Sequence, residues 1–150
     1  MRVILVDFDG VINSYISGFT NDSDIPDPPI DGAQDYIARL RRQYRVVVFS
    51  TRARTTEGTA AVKGWLSKYS IETDGITAIK IPCWLMIDDR AINFGGKWDS
   101  EMLKKIDEFQ TWQDSAAESR EKMVPESDLK DPLKGLFDPE PQEPINQDLI

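Results

Sequence analysis

Histidine is absent from this 150-residue sequence and cysteine occurs once. Without an imidazole, Ser-His-Asp hydrolysis, phosphohistidine chemistry and the usual His-containing zinc sites are excluded, so any acid or base must be a carboxylate, lysine or tyrosine. The lone Cys83 cannot close an internal disulfide, which is consistent with a reducing compartment. As a thiol-phosphatase nucleophile it would need a phosphate-cradling loop before Arg90. The intervening residues instead continue as an apolar strand, and Cys83 reads as a small buried hydrophobe. No apolar run is long enough to span a membrane, and Arg2 leads straight into a strand without a signal-type region. The expectation is a cytoplasmic protein with no membrane contact. A Gly-x-x-x-x-Gly-Lys-Ser/Thr loop is also missing, which leaves no kinase segment.

What is present suits one working domain: 40% hydrophobic residues in a chain of this length support one packed core. The net charge of −8 is uneven, with ten acids against four bases in residues 114–150 and sixteen against fourteen in residues 1–113. A near-neutral domain over residues 1–113 is therefore expected, followed by an acidic extension over residues 114–150. That extension reads as partly helical toward Met123. Beyond Pro125 its acids, prolines and isolated apolar residues show no period and predict mostly unstructured chain.

The sequence is organised around its first strand. Val3, Ile4, Leu5 and Val6 precede Asp7, and Val11 and Ile12 follow Gly10, the pattern of a central parallel strand buried on both faces. Asp7 and Asp9 then sit at its carboxyl end, where open α/β sheets bind ligands, and period-2 geometry sends both to one side. Gly10 permits a sharp turn or a close approach. Paired carboxylates at an apolar strand end need compensation, and a divalent cation is the simplest source, against the plainer reading of an Asp-x-Asp-Gly turn.

Residues 13–30 form a long polar loop over that strand end, whose Tyr15, Ile16 and Phe19 either stack on a substrate or anchor the loop. Ala33, Tyr36, Ile37 and Leu40 repeat at helical spacing, with Asp31 expected as N-cap and Arg39, Arg41 and Arg42 closing the helix. A second buried strand, residues 45–50, ends in Ser50, Thr51 and Arg52. Hydroxyls there, with a following helix capped by Thr55 or Thr56, make an anion site or a simple cap. After a helix carrying Ala60, Ala61, Trp65, Leu66 and Tyr69, a strand over residues 76–79 ends in Lys80, either a surface terminator or a fixed positive charge. The strand over residues 84–87 runs into Asp88 and Asp89, which with Asp7 and Asp9 form an acidic cluster suited to oxygen-coordinated Mg²⁺. A short fifth strand over residues 92–94 precedes a helix opening at Asp99 or Ser100, whose apolar face is Met102, Leu103, Ile106, Phe109 and Trp112.

Four elements thus stand in fixed order at strand ends: Asp7-Phe8-Asp9-Gly10-Val11, Ser50, Lys80 and Asp88-Asp89. Together they resemble the haloacid dehalogenase-like phosphohydrolase superfamily over about residues 2–112. Val11 and Ile12 stand where threonine and leucine are commonest. The resemblance implies a three-layer, doubly wound α/β fold: a parallel sheet with helices on both faces and little or no cap domain. It makes Asp7 the nucleophile of an aspartyl-phosphate mechanism, Asp9 the general acid–base, Ser50 the phosphoryl-binding hydroxyl and Lys80 the neutralising cation. It assigns Mg²⁺ to Asp7, the main-chain carbonyl of Asp9, and Asp88 and Asp89, leaving open which of the last two ligates directly.

With only a loop and a helix where caps are inserted, the site is expected to be open and to take large substrates. Ser50-Thr51-Arg52 and Asp88-Asp89-Arg90 are similar to the phosphatase domains of polynucleotide kinases and, less closely, to deoxyribonucleotidases. The expected substrate is a phosphorylated polynucleotide end, with mononucleotides as the alternative. Thr51, Arg52 and Arg90 are the candidate phosphate contacts, the two arginines against the plainer and favoured reading of internal salt bridges. A non-catalytic domain of the same fold, recruiting a protein partner through the acidic tail, is the competing hypothesis.

Overall fold

The structure, a computed structural model, describes residues 1–123; the tail expected beyond Pro125 lies outside the described residues. The chain divides into two units, Met1–Gln113 and Asp114–Ile150.

The N-terminal apolar run forms β1 (Val3–Asp7), in which Ile4, Leu5 and Val6 are all buried. A strand apolar at successive positions can bury both faces only between neighbours, and β1 has one on each side. It pairs in parallel with β2 (Arg45–Phe49) and with β4 (Leu85–Ile87), while β3 (Ile76–Thr77) pairs with the far side of β2. The result is a four-stranded, all-parallel sheet of order β3-β2-β1-β4 within an α/β fold.

Two helices supply the first crossovers, α1 (Ala33–Arg41) between β1 and β2 and α2 (Thr56–Lys68) between β2 and β3. Both steps run the same way across the sheet, so the right-handed rule puts both helices on one face. They share a core there: Ile37 from α1 and Val62, Trp65 and Leu66 from α2 pack with Ile4, Val6, Phe8, Val46 and Val48. Phe8 meets Trp65 edge to face at 5.0 Å, and the Trp65 indole N–H donates to the Asp27 carbonyl. The chain then returns past β2 and β1 to lay β4 on the other side of β1. The order of strands therefore reverses at β1, and ligand crevices form at the carboxyl ends of strands flanking such a reversal.

Several local expectations are corrected. Helix α1 has no side-chain cap from Asp31; Gly32, at φ 82°, occupies the N-cap position. Thr55 does cap α2, accepting from the Gly58 N–H. A Cβ on Gly58 would lie 2.0 Å from the Arg52 carbonyl oxygen, so only glycine lets the helix start this close to the preceding turn. Strand β3 stops at Thr77, whose hydroxyl bonds the Ile79 N–H and carbonyl, a local pairing that competes with the sheet ladder. Residues 92–94 form no strand. Asp99 caps α3 (Ser100–Asp107) as expected, but of its predicted apolar face only Met102 is buried, with Leu103, Ile106 and Phe109 exposed. A separate helix, α4 (Trp112–Met123), follows. No described helix is long and apolar enough to cross a membrane.

Candidate metal and phosphate site

The register places the site. Val6 of β1 pairs with Ile87 of β4, so the next residues, Asp7 and Asp88, leave adjacent strands side by side. Carboxylate oxygens of Asp7, Asp88 and Asp89 all lie within 4.8 Å of one another. Burial, then the charge of Asp88, then the charges of Asp89 and Asp9 push the Asp7 carboxyl up to about 7, against a smaller opposing effect of the Phe8 backbone. Asp89 is raised as well, chiefly by burial and despite the nearby Arg90.

Asp89 is the sharpest feature of the cluster. Its side chain is 3% exposed, its nearest cation is Arg90 Nε at 3.8 Å, and neither carboxylate oxygen has a hydrogen-bond partner among the described residues. An ionised carboxylate left so costs several kcal/mol in effective desolvation. A divalent cation against Asp7, Asp88 and Asp89 would remove that cost. The donors are all carboxylate oxygens, a set that fits hard ions of the Mg²⁺, Ca²⁺ and Mn²⁺ kind without choosing among them.

Asp9 stands apart. It lines the same cavity as Asp7, but its Oδ1 accepts from Asn13 Nδ2 at 2.9 Å and its Oδ2 from Arg52 Nε at 2.8 Å. Its carboxylate belongs to that network and not to the metal cluster. The turn that aims it is tight: the Ile12 and Asn13 N–H groups both donate to the Phe8 carbonyl, and the Gly10 N–H donates to the Asn13 carbonyl.

A cavity of about 400 Å³ is lined by Asp7, Asp9 and Asp88 and also by Tyr15, Phe19, Phe49, Ser50, Thr51, Arg54 and Arg90. Ser50 is buried and holds the turn Thr51–Arg54 by accepting from the Arg52 N–H. Thr51 is exposed at the rim. A larger groove of about 710 Å³, along α2 and the loop after it, contains none of the motif residues.

Two sequence expectations change, and one residue is added to the site. Arg52 does not line the cavity: it is fully buried, paired with Asp9, and donates through Nη1 to the carbonyls of Asn21 and Asp24. Its internal salt bridge was the other reading of the sequence. Lys80 is exposed and absent from the cavity wall, because the strand meant to deliver it ends at Thr77. Arg54 takes a place on the wall that the sequence reading gave to no residue. It is largely exposed and pairs loosely with Asp22 at 3.3 Å. Its signal was available in the basic residue two beyond Arg52, in a turn closed by Thr55.

The loop over residues 13–30 is folded onto the site. Asp27 accepts from both the backbone N–H and the hydroxyl of Ser17, Asp22 bonds Arg54 and Thr55, and Phe19 lies 5.0 Å from the Arg52 guanidinium. Comparison with protein-family models, with curated proteins and with solved structures gave no match.

Proposed function

We propose that this chain is a Mg²⁺-dependent phosphomonoesterase of the haloacid dehalogenase-like type. One observation carries the reading: a buried carboxylate, Asp89, without a hydrogen-bond partner among the described residues, beside Asp7 and Asp88, which line a cavity walled by hydroxyls and arginines. The doubly wound frame belongs to the same proposal. Leu5 and Val47, facing away from the α1–α2 core, are also buried, which supports cover on both faces of the sheet.

Asp7, Asp88 and Asp89 would hold the cation, which supplies charge neutralisation for the phosphoryl oxygens. The protein residues then divide the work. An Asp7 oxygen attacks phosphorus in line, and the bond to the leaving oxygen breaks as Asp9 delivers a proton to it. Water next attacks the aspartyl-phosphate, Asp9 takes its proton, and the bond from phosphorus to the Asp7 oxygen breaks. The net reaction is ester plus water to alcohol plus phosphate. Ser50 and Thr51 would orient the phosphoryl oxygens. Arg54 and Arg90 bring to the rim the positive charge assigned by sequence to Lys80.

The loop also bears on substrate size. Tyr15 and Phe19 on the wall, and the anchoring of residues 13–30 through Asp22 and Asp27, favour a nucleoside monophosphate over a polynucleotide end, with the base against an aromatic ring. Turnover of p-nitrophenyl phosphate with Mg²⁺, and its loss with a chelator, tests the activity. Comparing kcat/KM for a mononucleotide and a 3′-phosphorylated oligonucleotide tests the substrate. Turnover absent under every metal tried would sink the enzyme reading, and a strong oligonucleotide preference would reverse the substrate order.

A further inference from the structure

Arg52 is a fully buried cation that sits between two things the active site needs. On one side its Nε holds Asp9 Oδ2 at 2.8 Å. On the other, Nη1 bonds the carbonyls of Asn21 at 2.6 Å and Asp24 at 2.9 Å, and Phe19 of the same loop covers the guanidinium at 5.0 Å. The planar fork suits this: one rigid group satisfies acceptors in two directions, which a lysine ammonium on a flexible stem does not reproduce. Nη2 is buried with no hydrogen-bond partner among the described residues, and the backbone of Arg52 is closely held. Gly58 leaves room for the Arg52 backbone, and Ser50 Oγ fixes the Arg52 N–H at 3.2 Å.

We infer that Arg52 is a positioning residue which makes Asp9 and the loop over residues 13–30 a single mechanical unit. It holds the Asp9 carboxylate out of the Asp7–Asp88–Asp89 cluster and ties it to the segment that brings Tyr15 and Phe19 over the cavity. Asp9 is thereby kept for proton transfer while the other acids hold the cation. Movement of the loop at Asn21–Asp24 and reorientation of Asp9 are then one event, joined by a residue 43 positions from Asp9 and 28 from Asp24. The catalytic half of this statement rests on the phosphatase reading; the mechanical half does not.

The experiment uses the full chain and two variants, Arg52→Lys and Asp9→Asn. Asparagine turns one of the two acceptor oxygens at position 9 into a donor, so one arm of the network breaks without adding bulk. Amide hydrogen exchange is expected to accelerate about tenfold or more across residues 13–30 in both variants, while Val46, Val47, Val48 and the body of α2 stay protected. In parallel, Arg52→Lys should lower kcat on p-nitrophenyl phosphate about a hundredfold, as small misplacements of catalytic groups do, with KM within about threefold. A merely structural Arg52 would lower the melting temperature and leave kcat of the folded protein alone. If Arg52→Lys fails to fold, loop exchange in Asp9→Asn decides. Unchanged loop exchange in a folded variant, or kcat in Arg52→Lys within about twofold of the parent, overturns the inference. A parent protein without turnover removes the phosphatase reading, and the exchange data still decide the coupling.

Discussion

Gly10 and Asp89 touch: a Cβ built on Gly10 would lie 2.5 Å from Asp89 Oδ2, and Gly10 holds φ at +87°. The glycine of the first motif thus makes room for a carboxylate of the last, 79 positions along. The sequence reading allowed it a sharp turn or a close approach, and it does both. Gly10→Ala should therefore move Asp89 and strain the backbone, destabilising by about 1–3 kcal/mol. The rise in melting temperature produced by Mg²⁺ should vanish with it. Thermal scans with and without Mg²⁺ check both, and a preserved metal response would show that Asp89 does not need its present place.

Asp7→Asn should abolish turnover and leave the fold intact. It removes the nucleophile, and it also removes one of three crowded carboxylates, so the metal-free melting temperature at neutral pH should hold or rise. Residual turnover in a clean preparation would assign the nucleophile elsewhere.

Stability should depend on pH in a metal-dependent way. The Asp7 carboxyl is raised from 3.8 to about 7 in the folded protein, so the native state keeps a proton that the unfolded chain releases. Stability from this group is then full below about pH 4, falls as pH rises toward 7, and is flat beyond. Asp89 is shifted in the same direction. Asp74 works oppositely, held below the usual carboxylate range first by the Val46 N–H and then by Arg41, so its contribution is lost on acidification. With chelator, the melting temperature should decline between pH 5 and 7. Added Mg²⁺ should restore it near pH 7 to 8 and do little at pH 5, where the ligands keep their protons. A decline that Mg²⁺ does not reverse would separate the burial of Asp7 from metal binding.

Lys80→Ala should change kcat/KM by less than about threefold, since the side chain is exposed and off the cavity wall. Arg54→Ala and Arg90→Ala, which remove cations from that wall, should raise KM about tenfold, the scale of a solvent-facing charge-assisted contact. The opposite ranking, measured on one phosphate ester, would restore Lys80 to the site.

Where the sequence was legible, a long apolar run or a dense motif carried the information. β1 and β2 are continuous apolar strands, Thr55 precedes a helical pattern, and Asp7, Asp88 and Asp89 each follow a strand that can only be parallel to its neighbours. The errors share a different cause. Asp31 is a good capping residue displaced by a glycine in the left-handed conformation, and β3 is cut short by one hydroxyl that bonds its own loop. The charge of Arg52 was visible from the start. Its burial was not, because the partners that allow it, Asp9, Asn21 and Asp24, lie 28 to 43 positions away. Local propensity has no access to contacts of that range.

One hydrogen bond at the site has a history in time. The indole N–H of Trp112 donates to the Gly10 carbonyl at 2.8 Å, across 102 positions, and the neighbouring Gln113 side chain donates to the Ser14 carbonyl. A ribosome delivers Asp7 and Gly10 about a hundred residues before Trp112, and joining segments so distant costs chain entropy before any contact rewards it. The turn beside the acids is therefore clasped late. An emerging chain exposes its carboxylates well before it has the residue that fastens their backbone, so the length of chain made sets when the site can close.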